Sequence, residues 1–327
     1  MVTIGILGAG TWGTALARML TENGNEVTLW SALPAELETL RKTRRHPKLP
    51  DAVLPEALRY SADIAEVCDA DVVVFAVPSV YIRSVAESAK PFLKPEVVLV
   101  SVAKGIEKDT YLTMTEIIED VLGKRRIVAL SGPTHAEEVG IGLPTAIVSA
   151  SDDPEAAAYV QQVFSNAYFR TYTNADIRGV ELCGALKNVI ALAAGVGDGI
   201  GYGDNAKAAL ITRGMAEIAR LGTAMGCDPK TFYGLAGVGD LIVTATSRHS
   251  RNNRCGYLLG KGLPADLAVK EVGMVVEGLN ALPAALGLAE RYGVEMPITR
   301  AVGELVYGGG DPKTIVGQLM LREYKNE

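Results

Sequence analysis

The stretch VTIGILGAGTWGTALARML, Val2–Leu20, constrains this chain more than any other. An apolar, β-rich run leads into Gly8, Gly10 and Gly13 in G-x-G-x-x-G spacing, and a helical pattern follows. Strand, glycine turn and helix in that order form the context that gives the motif its meaning. Gly8 permits the tight turn, Gly10 lets a pyrophosphate approach the backbone, and Gly13 lets helix and strand pack closely. The helix N-terminus then attracts the phosphates. The expectation is a dinucleotide-binding unit at the start of the chain.

The rest of the first half fits that unit. VTIGIL, EVTLW, DVVVFAV, VVLVSV, RIVALS and TAIVS read as strands apolar on both faces. Helical patterns fall between them at 14–22, 33–43, 79–89 and 110–122. Such alternation predicts an α/β, doubly wound parallel sheet of Rossmann type. Beyond about Asp176 the periodicity turns helical, in NAKAALITRGMAEIARLG, ALPAALGLAERYG and ITRAVGELVYG. We therefore expect a nucleotide-binding domain over 1–177 and a mostly α-helical catalytic and substrate domain over 178–327.

Composition excludes several classes. A formal net charge of -6 argues against a nonspecific nucleic-acid binder, which needs a basic face. No run of about eighteen uninterrupted apolar residues predicts a membrane span. The first strand begins at Val2, which leaves no room for a signal peptide. The four cysteines form no C-x-x-C pair and the three histidines are scattered, so we expect no metal and a reducing cytoplasm.

The nucleotide itself stays open between NAD and NADP. The acidic residue expected about 20 residues past the glycines is missing, and Ser31 stands at the end of the second strand. Serine neither grips a ribose hydroxyl as a carboxylate does nor repels a 2'-phosphate. Arg41, Lys42, Arg44 and Arg45 follow, in a pattern that also suits a solvated helix face.

A second feature is harder to explain as scaffold. GVELCGALKNVIALAAG, Gly179–Gly195, is almost wholly small or apolar, yet Lys187 and Asn188 sit in its middle. Gly184 and Ala191 share the helix face of Lys187, which leaves space beside the ammonium. An unpaired buried charge is costly, so either the lysine snorkels to the surface or it has a partner and a task. Other groups favour the task. Lys104 stands just past the carboxyl end of a strand, where doubly wound folds bind ligands. Thr134 precedes Glu137 with capping-box spacing. Asp240, between glycine-rich and apolar runs, is a carboxylate able to pair with a lysine. Ser250 looks like a helix N-cap with Arg251 and Asn252 in the first turn. A cation there opposes the helix dipole unless an anion lies between them.

Taken together, GAGTWGTALA, AKGIE, GPTHAEEV, GVELCGALKNVIALAAGVGDGIGYGDNAKAALITRG, GLAGVGDL, SRNNR and VVEG resemble the bacterial-type NAD(P)-dependent glycerol-3-phosphate dehydrogenase family, in family order over nearly the whole chain. The resemblance implies reduction of dihydroxyacetone phosphate to sn-glycerol 3-phosphate for glycerophospholipid synthesis. It implies Lys187 as catalytic acid/base, with Lys104 and Asp240 lining the reacting centre. Gly132, Thr134, Ser250, Arg251 and Asn252 would hold substrate. Thr11, Trp12, Ala136, Val275 and Glu277 would contact the cofactor, with Lys104 and Arg251 near both ligands. Many members carry a basic residue shortly after the second strand, where Ser31 and Ala32 stand here. The expected partners are a phosphorylated small molecule and, at most, a second copy as a homodimer. Two rival readings remain: a 3-hydroxyacid or 6-phosphogluconate-type dehydrogenase, and a noncatalytic dinucleotide sensor. The first places its asparagine a turn beyond the lysine, and the second does not need Lys187, Asp240 and Arg251 together.

Overall fold

The computed structural model describes every residue except Lys325 and Glu327. The chain divides into two compact units, 1–104 with 112–181 and 105–111 with 182–327.

The first unit carries one eight-stranded sheet: β1 (Thr3–Leu7), β2 (Glu26–Trp30), β3 (Arg59–Ser61), β4 (Val72–Phe75), β5 (Val98–Ser101), β6 (Arg126–Ser131), β7 (Thr145–Ala150) and β8 (Phe169–Asn174). The order is β3-β2-β1-β4-β5-β6-β7-β8. Chain order reverses between β1 and β4, which makes that edge the topological switch point where open α/β sheets bind ligands. Strands β4 and β5 are buried at every residue, which is why they read as unbroken apolar runs. Helices α1 (Thr11–Glu22), α2 (Pro34–Thr43), α3 (Ile64–Cys68), α4 (Ile82–Ala89), α5 (Met114–Leu122), α6 (Ala136–Val139) and α7 (Pro154–Phe164) cover it.

Three expectations need correction. The sheet is not wholly parallel, because β6 and β7 run antiparallel. Their connection holds only the four-residue α6, too little for the crossover that parallel neighbours require. Strands β3 and β8 carry no apolar run: β3 has three residues, and β8 alternates buried with exposed positions. Helix α5 starts at Met114 rather than Thr110, because Tyr111 has φ 61° and Thr113 caps the helix in a box with Glu116.

The second unit is helical. It holds most of α8 (Ile177–Ile200), then α9 (Asp204–Ala224), α10 (Asp240–Thr246), α11 (Arg251–Gly260), α12 (Ala265–Val272), α13 (Glu277–Arg291), α14 (Pro297–Gly303) and α15 (Pro312–Met320). Helix α8 is long and apolar enough to cross a membrane by length and composition, although Lys187 and Asn188 interrupt its apolar run. It is 94% buried over its most apolar window, as a core helix is. Leu182, Leu186, Ile190 and Ala194 of α8 pack with Ile218 and Leu221 of α9 and with Ala284 and Leu288 of α13. The four cysteines are buried thiols, and burial pushes those of Cys68 and Cys255 up to about 11.

Candidate active site

In the first unit the glycine loop joins β1 to α1. Gly8 has φ 128°, a left-handed conformation that disfavours any side chain, and a Cβ there would lie 2.7 Å from the Ala76 carbonyl oxygen. A Cβ on Gly13 would lie 1.9 Å from the Gly8 carbonyl oxygen, so only glycine lets α1 start this close to the strand. Gly10 differs: its Cβ would meet nothing within 4 Å. It is the N-cap of α1, with no side-chain cap, and Thr11 and Trp12 follow in the first turn. Open space before a helix N-terminus whose amides lack a side-chain cap is the cradle a pyrophosphate needs. The loop therefore fits a dinucleotide. Ser31 lies beside it, one residue past Trp30, whose carbonyl accepts from Gly8 N at 3.1 Å.

Further along the same sheet edge, Lys104 follows β5 and its Nζ donates to the Gly132 carbonyl at 2.9 Å. The Thr134 hydroxyl donates to the same carbonyl at 3.1 Å. The capping box expected from Thr134 is not formed, because His135 is the N-cap of α6 and no side chain caps it. The hydroxyl is drawn back to Gly132 instead. Ala136 opens that short helix. The structure thus gathers Lys104, Gly132 and Thr134 around one carbonyl oxygen.

The second unit resolves the puzzle of the buried ammonium. Lys187 on α8 is 5% exposed and Asp240, at the start of α10, is 1% exposed. Lys187 Nζ donates to Asp240 Oδ1 at 2.8 Å and to Thr244 Oγ1 at 2.6 Å. Thr244 in turn donates to the Asp240 backbone carbonyl at 2.7 Å. A lysine and a carboxylate this deeply buried are tolerable only when paired and hydrogen-bonded, as these are. Thr244 was missed in the sequence. Its position four residues after Asp240, on the same helix face, was the available signal.

Helix α11 supplies the third group. Ser250 caps it, as its position suggested, accepting from Asn253 N at 3.2 Å. Arg251 is the first helical residue and is exposed, with no hydrogen-bond or ion-pair partner among the described residues. A helix N-terminus that holds an unpaired guanidinium is prepared for an anion. Asn252 is buried at 8% exposure and more committed than its sequence suggested. Its amide donates to Asn188 Oδ1 at 2.9 Å, and its oxygen accepts from Gly278 N at 2.9 Å. Asn188 also donates to the Gly184 carbonyl. A chain of amides therefore runs from the residue beside Lys187, through α11, to the N-terminus of α13. Val275 and Glu277 flank that terminus, with Val276 as its N-cap.

Comparison with known proteins identifies the family. A family model described as the NAD-dependent glycerol-3-phosphate dehydrogenase N-terminus matches residues 3–157, and one described as its C-terminus matches 176–317. A glycerol-3-phosphate dehydrogenase of NAD(P)+ type from Lactobacillus delbrueckii subsp. bulgaricus is 59% identical, over 100% of this chain and 99% of that one. The Bacillus subtilis enzyme of the same name is 51% identical, over 100% and 96%. The crystal structure of glycerol-3-phosphate dehydrogenase from Coxiella burnetii superposes with a TM-score of 0.94 at 36% identity, covering 98% of this chain and 99% of that one. A ketopantoate reductase from Ralstonia eutropha, at 19% identity and a TM-score of 0.65, shares the fold alone. With both halves matched, in chain order and nearly end to end, the chain belongs to the NAD-dependent glycerol-3-phosphate dehydrogenase family.

Proposed function

We propose that the chain reduces dihydroxyacetone phosphate to sn-glycerol 3-phosphate, reversibly, and so supplies the backbone of glycerophospholipids in the cytoplasm. The observation that carries the reading is the buried ammonium of Lys187, hydrogen-bonded by Asp240 and Thr244. A nicotinamide nucleotide, NAD(P)H, supplies the hydride when bound, and the glycine loop with the α1 N-terminus holds its pyrophosphate.

The chain's own residues do the rest. As the substrate carbonyl carbon is reduced, negative charge grows on its oxygen. Lys187 donates a proton to that oxygen, and in the reverse direction takes it back. Asp240 and Thr244 fix the direction in which the ammonium points and offset the cost of its burial. Lys104 adds positive charge to the developing alkoxide and is itself aimed by the Gly132 carbonyl. Arg251 presents a planar fork to the substrate phosphate, assisted by the α11 amides. Asn252 holds α11 against α8 and α13, which fixes the first turn that presents Arg251 to the phosphate. Thr134 and Ser250 complete the polar lining.

The test follows NADH absorbance in the presence of dihydroxyacetone phosphate. The wild-type protein oxidises NADH, and Lys187→Ala lowers turnover by about 10²–10⁴-fold while NADH affinity is kept. No oxidation by the wild type sinks the reading. Near-normal turnover by the variant removes Lys187 from its role. A 3-hydroxyacid with NAD+, read as NADH formation, distinguishes the nearest rival enzyme class.

A further inference from the structure

The acidic residue missing from position 31 is restored by the tertiary structure. Ser31 is 5% exposed, and its hydroxyl donates to Glu36 Oε2 at 2.5 Å while accepting from Leu33 N at 3.1 Å. Glu36 is in the first turn of α2 and half-buried. The serine that holds it is one residue beyond the strand end bonded to Gly8. A carboxylate therefore stands at the tip of β2, beside the glycine loop, where a dinucleotide's adenosine ribose is read in this class of fold.

The surrounding charges do not cancel it. Arg41 donates to the Tyr60 carbonyl and lies over that ring, and Lys42 pairs with Glu38. Arg44 grips the Leu54 carbonyl and Glu56, and Arg45 donates to the Pro50 carbonyl. Arg41, Lys42, Arg44 and Arg45 are thus each committed elsewhere, and the remaining cation before β3, Lys48, is exposed. The nearby His46 is held below its ordinary range by burial, against the raising field of Glu36.

We propose that Glu36, clamped by Ser31, selects NAD over NADP. Its carboxylate accepts from the ribose 2'-hydroxyl and repels a 2'-phosphate, which no free cation of α2 receives. This rests on the reading of the glycine loop as a dinucleotide site. Glu36 as a purely structural residue, favouring the α2 dipole, would change stability and leave the choice of nucleotide alone.

Affinities of the purified protein for NADH and NADPH, by calorimetry without substrate, decide the matter. The wild type is expected to bind NADH at least about tenfold more tightly, as expected of like charges brought together. E36Q should weaken NADH, strengthen NADPH and bring the ratio near one. S31A, which frees the carboxylate to swing, should give an intermediate ratio. Equal affinities in the wild type, a preference for NADPH, or an E36Q effect of the same factor on both nucleotides overturns the proposal. If the wild type binds neither nucleotide, the dinucleotide reading itself falls. Should E36Q fail to fold, the wild-type ratio and S31A still decide.

Discussion

At the residue scale, the site is built from charges that would be unstable alone. Lys187 is tolerated because Asp240 and Thr244 meet it, whereas Arg251 is tolerated because it is exposed to water. The two cations therefore respond differently to removal. Loss of Lys187 leaves Asp240 buried without its cation, so its variants need a check of folding as well as of rate. Loss of Arg251 leaves nothing buried. Arg251→Ala should keep the melting temperature and raise the KM for dihydroxyacetone phosphate by about 30-fold, roughly 2 kcal/mol, near the lower end for truncated charge pairs because the guanidinium is hydrated in the free protein. Activity on unphosphorylated dihydroxyacetone should barely move. A similar loss on both ketones, with NADH binding intact, would show that Arg251 does not read the phosphate.

At the scale of elements, two buried glutamates act as caps for helices other than their own. Glu217 on α9 accepts from Ile298 N at 2.6 Å and from Thr299 N and Oγ1 at 3.1 Å each. Those amides open α14, whose own N-cap, Met296, supplies no side-chain hydrogen bond. Proline at the first helical position suits the start of α14 but does not satisfy the amides behind it. Burial raises the Glu217 pKa while the three donors lower it. Glu217→Ala would orphan two buried amides, and the expected loss is about 2–4 kcal/mol. Glu217→Gln, which keeps one acceptor, should recover a good part of it. Chemical denaturation of the two variants measures this, and equal stability of Glu217→Ala and wild type would refute the capping role.

At the scale of the whole molecule, the second such cap gives stability a pH dependence. Glu181 receives the Thr115 amide at 2.9 Å and the hydroxyls of Thr113, at 2.7 Å, and Thr115. Burial pushes its carboxyl up to about 7, despite those donors. The folded state then binds a proton that the unfolded chain releases near its ordinary value of 4.5. The stabilising share of this group is complete below that ordinary value and is lost as pH rises toward about 7. The loss over that window is on the order of 3 kcal/mol. Glu181→Gln removes the titration, and the threonine hydroxyls can turn to accept from the amide. The variant should therefore show a flatter stability profile between pH 5 and 7.5 and match or exceed the wild type above it. Parallel profiles for the two proteins would mean that Glu181 is ionised throughout.

Much of this protein was legible in its sequence because local rules govern the parts concerned. The glycine loop, the buried strands β4 and β5, the Ser250 cap and the oddity of Lys187 all follow from steric limits, burial and helix-end chemistry within a few residues. Helix α5, the antiparallel β6–β7 pair and the alternating edge strand β8 were misread or missed where local pattern competes with chain connection or a half-solvated face. The partners of buried charges were hardest to reach: Asp240 was legible as a carboxylate able to pair with a lysine, whereas the partners of Glu181 and Glu217 were not legible at all. Asp240 is 53 residues from Lys187, Thr113 is 68 from Glu181, and Ile298 is 81 from Glu217. Even Glu36, five residues past Ser31, is defined as its partner only once α2 folds back on the end of β2. Sequence alone determined which residues need a partner, since burial and desolvation follow from composition. Only the tertiary structure decided which partner each received, because pairing energy depends on distances that folding alone sets.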